Sequence, residues 1–277
     1  MSGLGGIERE LPPSSKQAHP HFSKHVKNYT FNFLVLYLIF PKFSFPPLFF
    51  YPNLFPFGRL LTRIPCMKKN IEIEIVSDAV CPWCYIGKKR LEKAMDKLSS
   101  EYDFSIQWKP FQLHPEMPPE GMPGTELLEK KYGVERAKQM LTSMTATGKT
   151  EGISFDFPAI PFTPNTKLYH RLVKYSGLFH KQDALVNSLF QAYFETGEDI
   201  SDPNTLLNHA ERAGLDREEV SKFLNSDSFL KEVEDEEEIY RNAGITGVPS
   251  FIINRKYLVV GAQTPDYFES AFSQMEL

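Results

Sequence analysis

The chain has 277 residues, is 42% hydrophobic and 24% charged, and carries a formal net charge of −4. That length and apolar content suffice to bury one core, or one core with an inserted subdomain. Residues 1–66 hold seven basic and two acidic residues and the remainder 24 basic and 33 acidic, an acidic body that weighs against nonspecific nucleic-acid binding.

Residues 1–66 differ in character from the rest of the chain. Nine phenylalanines between positions 31 and 57 are broken up by Pro41, Pro46, Pro47, Pro52 and Pro56. The longest apolar run, Phe33 to Phe40, falls short of the roughly 20 residues a membrane-spanning helix needs. The prolines prevent its extension as a regular helix. An apolar core near the start, followed by a small-residue cleavage site, would mark a secretory signal, and neither is clear. The scarcity of acidic residues is compatible with an organelle transit peptide. We read residues 1–66 as an extension, disordered or a leader, rather than as a membrane anchor. Met67 stands directly before the first strand, so residues 67–277 form the expected folded domain.

Residues 71–76 (Ile-Glu-Ile-Glu-Ile-Val) alternate with period two, the pattern of a strand with one buried face. From Cys84 the apolar positions Ile86, Leu91, Ala94, Met95 and Leu98 take helical spacing, predicting a helix over 82–99. Between the two lies Cys81-Pro82-Trp83-Cys84. Pro82 suits the first helical position, which makes Cys81 the N-cap. There its sulfur faces unpaired amides and the positive end of the helix dipole, which stabilise the attacking thiolate. Cys66 is the third and last cysteine. Three cysteines exclude a disulfide-stapled fold, and a zinc site would need a second spaced pair. His25 and His114 show no ligand spacing, so no metal is expected.

A second strand is predicted at 104–108, then a loop rich in proline and glycine to Gly124 with no regular element. A helical block runs on to about residue 242, punctuated by Gly148, Pro158, Pro161, Pro164, Gly177, Gly197, Pro203 and Gly214. Its acidic segment Glu232–Glu238 reads as a solvated helix face. The period-two signal returns at Ser250–Asn254 and Tyr257–Val260, and Thr264-Pro265 opens a last helix. The fold class is therefore α/β: a small sheet over residues 70–110 and 243–277, split by a helical insertion at 111–242.

That order resembles the thioredoxin superfamily and, more narrowly, the DsbA family and its FrnE-like branch. The matching residues are Ser77-Asp-Ala-Val-Cys-Pro-Trp-Cys-Tyr-Ile-Gly87, Phe190-Gln-Ala-Tyr-Phe194 with Gly197 and Asp199-Ile200, Thr246-Gly-Val-Pro249 and Gly261-Ala-Gln263. The resemblance implies that Pro249 is cis and packs beside the cysteines, turning the Val248 backbone toward an extended substrate. It implies attack by Cys81 and resolution by Cys84, with Trp83 shielding the pair and shaping the substrate surface. Asn165 and His170 resemble an Asn/His pattern that lines the cleft opposite the cysteines. Gln263, after a turn glycine, is grouped with the substrate-binding residues as a support for the loop near Pro249. Two departures stand out. Trp83 replaces the histidine of DsbA itself, which argues against extreme oxidising power. Ile75 occupies the place of the buried proton-accepting carboxylate; Asp78 is near enough to substitute, and a turn or capping role is equally open to it. His114, His180 and His209 lack a partner motif and read as structural.

The function expected is a thiol–disulfide oxidoreductase acting on protein thiols and disulfides or on glutathione. It needs no cofactor beyond its own redox-active disulfide, with glutathione as the possible co-substrate and no nucleic-acid or membrane partner. Two rivals remain. One is a glutathione-dependent transferase or isomerase of the kappa-class or chromene-carboxylate isomerase type, relatives that typically carry serine at the position of Cys81. The other is a non-enzymatic peptide-binding module using Trp83, Tyr85 and Phe111. So few cysteines suit a reducing cytoplasm, with organelle import through residues 1–66 as the alternative.

Overall fold

The computed structural model describes residues 68–124 and 126–275. The readings of residues 1–66, including Cys66 and the leader, lie outside the described residues.

Strand β1 (Lys69–Ser77) buries Ile71, Ile73 and Ile75 and exposes Glu72, as its alternation requires. It leads into helix α1 (Pro82–Leu98), whose start is set by Pro82 in the first turn. The chain returns through β2 (Tyr102–Pro110), which pairs parallel with β1 and aligns Ile75 with Trp108. Two residues, β3 (Met122–Pro123), then pair antiparallel with β4 (Phe162–Thr163). This ladder falls where the sequence predicts only loop. Its partner lies about forty residues away, so no local pattern announces it; Gly121 at φ +74 lets the backbone approach, since a Cβ there would stand 2.6 Å from the Thr163 carbonyl oxygen.

Among the described residues seven α-helices occupy the stretch between β2 and the next strand of the main sheet: α2 (Glu126–Tyr132), α3 (Val134–Glu151), α4 (Lys167–Gly177), α5 (Gln182–Thr196), α6 (Pro203–Arg212), α7 (Arg217–Leu224) and α8 (Leu230–Asn242). The hairpin β5 (Ser250–Ile253) and β6 (Tyr257–Val260) comes next, then α9 (Pro265–Gln274), capped by the Thr264 hydroxyl accepting from the Tyr267 amide. The hairpin turns tightly because Asn254 and Arg255 both take positive φ. The main sheet has the order β2-β1-β5-β6, with β5 antiparallel to both neighbours.

The two sheet faces bury different residues. Ile71, Ile73, Ile75 and Phe251 join Leu91 of α1 and Phe268 and Phe272 of α9 in the main core. Val76 and Ile252 join Phe111, Tyr240 and Ile245 in a second, smaller cluster under α8. Helix α5 runs through the main core, where Tyr85 of α1 stacks on Phe190 at 5.1 Å between ring centroids. Tyr85 therefore packs inside rather than shaping a peptide surface, and its hydroxyl donates to Glu195 at 2.6 Å. Phe111 is likewise interior, beneath the Arg241 guanidinium at 4.1 Å. The acidic run on α8 is solvated except at Glu236, half-buried between Lys109 and Lys174, and at Glu237, which is buried and accepts from the Gln112 amide at 2.8 Å and from its side-chain nitrogen at 2.9 Å. Among the described residues no helix is long and apolar enough to cross a membrane.

Candidate active site

Cys81 occupies the N-cap of α1 in extended backbone (φ −95, ψ 108), and no side-chain cap competes for the first amides of the helix. Its amide donates to the Asp78 carbonyl at 3.2 Å, and the Cys84 amide donates to the Cys81 carbonyl at 3.0 Å. The strand-to-helix turn thus holds both sulfurs on the first helical turn. Both cysteines are free thiols. Cys81 is 5% exposed and Cys84 1%. Burial pushes the Cys84 thiol well above its ordinary value; Cys81 adds to the rise, and the Ser77 hydroxyl and Asp78 amide offset part of it.

The Val248–Pro249 peptide is cis. Cys81 Sγ–H donates to the Val248 carbonyl at 3.5 Å, so residues 167 positions apart form one wall. The loop behind them is tied down from two sides. The Gly261 amide donates to the Pro249 carbonyl at 2.8 Å, and the Ser250 hydroxyl donates to the Gly247 carbonyl at 2.9 Å. Gln263 donates through its side chain to the Val260 carbonyl at 2.8 Å. It braces its own turn, one step removed from Pro249, and does not line the cleft.

A cleft of about 380 Å³ opens from Cys81 between the sheet domain and helices α2, α3 and α5. Trp83, Leu113, Leu128, Met140, Tyr193 and Val248 give it largely apolar walls, with His114 and Lys131 as its basic groups. Trp83 is 36% exposed, consistent with a surface contact beside the sulfur. His114, read as structural in the sequence, is at this cleft. Burial lowers its imidazole below the ordinary value, Asp78 opposes that, and Lys131 adds to it. A wider cavity of about 620 Å³ borders β2, α4 and α5 but contains neither cysteine.

Asn165 and His170 stand elsewhere. Asn165 donates to the Met117 carbonyl at 2.6 Å and accepts from the Lys167 amide at 2.9 Å, pinning the start of α4. His170 is 3% exposed, and its Nε2 lies 3.3 Å from Asp78 Oδ1 rather than in the cleft. Asp78 Oδ2 accepts from the Leu113 amide at 2.7 Å, so the carboxylate fixes the loop that forms the cleft rim. Asp78 thus does more than cap a turn. Its position three residues before Cys81 is the signal in the sequence; its partner on α4 is not visible there. Among the described residues no group of three or more His, Cys, Asp or Glu side chains is placed to hold a metal ion.

A central mixed sheet, a Cys-x-x-Cys pair at the first turn of α1 and a facing cis-proline define a thioredoxin-type fold with a helical insertion. Residues 72–273 match the DSBA-like thioredoxin domain, and the chain belongs to that family. A solved Streptomyces coelicolor protein named a probable DsbA oxidoreductase is 31% identical, with a TM-score of 0.69 over 74% of this chain and 89% of that one. The uncharacterized protein YwbO of Bacillus subtilis is 29% identical over 206 residues, covering 74% of this chain and 96% of its own. The fold is also shared with a 2-hydroxychromene-2-carboxylate isomerase, 18% identical, at a TM-score of 0.56 over 73% of this chain and 95% of that one.

Proposed function

We propose that this protein is a thiol–disulfide oxidoreductase that cycles Cys81 and Cys84 between dithiol and disulfide, acting on protein thiols or on small thiols such as glutathione. The observation that carries this reading is the placement of Cys81 Sγ at the N-terminus of α1, 3.5 Å from the Val248 carbonyl. The helix end directs its unpaired amides toward the Cys81 sulfur, and the Val248 backbone offers an extended chain an edge beside that sulfur. Cys81 attacks a substrate disulfide and expels one substrate thiolate. Cys84, once deprotonated, attacks Cys81 Sγ in the mixed disulfide, closes the Cys81–Cys84 bond and releases the second substrate thiolate. The same steps in reverse oxidise a substrate dithiol. The cleft's apolar walls suit an apolar residue flanking the substrate cysteine. Cysteine usage alone favours a reducing compartment such as the cytoplasm.

Those apolar walls also favour a second reading, a glutathione-dependent isomerase or transferase on a small apolar substrate. The two differ in their need for Cys84, which only dithiol exchange requires. Insulin reduction and dithiol oxidation, measured for the wild type, Cys81→Ser and Cys84→Ser, separate them. Turnover should vanish in Cys81→Ser, and Cys84→Ser should accumulate mixed disulfides. Redox turnover persisting in both variants overturns the oxidoreductase reading, and glutathione-dependent isomerisation surviving in Cys84→Ser supports the rival.

A further inference from the structure

If Cys81 and Cys84 exchange disulfides as proposed, Cys84 must lose a proton in a place water does not reach, being 1% exposed. An acceptor inside the protein is required, and Ile75 offers none. Five buried side-chain oxygen and nitrogen atoms lack a well-formed hydrogen bond within the described residues, and three of them are linked: His170 Nε2 stands 3.3 Å from Asp78 Oδ1, and His170 lines one small cavity with Ser77, whose Oγ is the third. Leaving such an atom unpaired is costly, so three together point to a working site rather than to filler. Asp78 and His170 approach to 3.3 Å, within ion-pair range but outside hydrogen-bond alignment, so both atoms keep free capacity.

We propose that Asp78 and His170 form a buried proton-accepting pair for Cys84, reached through the Ser77 hydroxyl, and that this pair sets the rate at which the mixed disulfide is resolved. The route is short. The Ser77 hydroxyl and the Asp78 amide both act on the Cys84 sulfur in the direction that favours its thiolate. A cavity of about 10 Å³ is bounded by Ser77, Tyr169, His170 and Lys174, near the lower limit for one water. Lys109 and Lys174 border the same cavity and reach Glu236 at 3.0 Å and 2.6 Å, which links it to the surface.

In the step itself, Cys84 S–H gives its proton through Ser77 to the Asp78–His170 pair. The resulting thiolate attacks Cys81 Sγ, the Cys84–Cys81 bond forms as the Cys81–substrate bond breaks, and the electron pair leaves on the substrate sulfur. When a substrate thiolate instead opens the Cys81–Cys84 disulfide, Cys84 leaves as thiolate and takes the proton back. The groups facing the pair are Cys81 and Cys84, Tyr169 and Lys174 on α4, Lys109 on β2, His114 after β2 and Tyr193 on α5.

The test uses the full chain carrying Cys66→Ser, reduced and mixed with an aromatic disulfide whose thiolate absorbs. The first thiolate reports attack by Cys81 and the second reports resolution by Cys84. His170→Gln should leave the first phase unchanged and slow the second by about tenfold or more near neutral pH, and Asp78→Asn, which also disturbs the Leu113 contact at the cleft rim, should slow the second phase well beyond any effect on the first. That gap should narrow as pH rises toward the thiol range, because solvent base then replaces the lost acceptor. A second phase at the wild-type rate in both variants overturns the proposal, as does equal slowing of both phases at every pH. A wild type with no second phase defeats the oxidoreductase reading itself, and the proposal with it. If neither variant folds, the His170 imidazole is followed by nitrogen NMR in wild-type protein. Its ring-nitrogen shifts at neutral pH should differ between the dithiol and disulfide forms, and identical shifts overturn the proposal.

Discussion

Gly87 lies so close to Pro249 that an added Cβ would stand 3.0 Å from Pro249 Cγ and 3.2 Å from Phe251 Cζ. One helix residue thereby sets how near α1, and with it Cys81, comes to the cis-proline loop. Gly87→Ala gains up to about 1 kcal/mol of helix propensity against a contact that yields only tenths of an ångström, so its net effect on stability should be small. Gly87→Val adds bulk the core does not accommodate. It should cost about 1–3 kcal/mol and slow dithiol exchange by displacing Pro249 from Cys81. Urea unfolding and turnover, measured on both variants, check this; a fully active Gly87→Val would show that the approach is not needed.

The raised thiol of Cys84 has a direct chemical consequence. A thiol held above its usual value stays protonated at neutral pH, and protonated thiols do not alkylate. Iodoacetamide on the reduced native protein at neutral pH should mark Cys81 and leave Cys84 unmodified, whereas denatured protein should be marked at both. Peptide mapping by mass spectrometry reads this out. Equal labelling of the two cysteines in the native protein would contradict the asymmetry.

Glu237 holds the end of β2 from α8. It accepts two hydrogen bonds from Gln112, and Arg241 reaches it at 2.6 Å. Glu237→Ala leaves the buried Gln112 amide without its partner and the Arg241 guanidinium without its carboxylate, though still on the Gln112 carbonyl, and should destabilise by about 3 kcal/mol. Since Leu113, the next residue, donates to Asp78, the same variant should also raise KM for disulfide substrates. Chemical denaturation and steady-state kinetics test the two effects separately.

Glu151 links α3 to α1. Burial pushes its carboxyl up, but hydrogen bonds from Lys93 and Arg90 outweigh that and hold it below the usual carboxylate value. Arg90 Nε lies 2.7 Å and Lys93 Nζ 2.6 Å from its two oxygens. A depressed folded-state pKa means the stabilisation is complete above the unfolded carboxylate value of about 4.3 and is lost as pH falls through the lower folded-state value. Glu151→Gln should therefore be less stable than wild type at neutral pH, and the difference should shrink as the solution is acidified. Thermal melts across acidic pH decide it, and a difference that stays constant would remove the linkage.

Local chemistry makes much of the site readable. Alternation along β1, Pro82 in the first turn and the spacing of two cysteines place Cys81 at a helix start without knowledge of the remaining chain. The Asn254–Lys256 turn and the Thr264 cap are similarly short-range signals. Asn165 and His170 show where such reading stops. The resemblance of their segment puts both at the cleft, yet Asn165 ties down the start of α4 and His170 faces Asp78. A helical residue's direction depends on how its helix rotates against the sheet, and segment chemistry does not encode that rotation. The same limit hides Glu237, which looks like its solvated neighbours until α8 is laid against Gln112, and His114, which gains a role only because α2 and α3 close over it.

Strand period, helix period and N-cap preference all act within a few residues, so local chemistry alone places a Cys-x-x-Cys pair at the start of a helix after a strand. Long-range packing, by contrast, is what turns Cys81 toward the Val248 carbonyl and sets Asp78 against His170. Those relationships join segments separated by tens to hundreds of residues, and packing of the two sheet faces is what brings them within ångströms of each other.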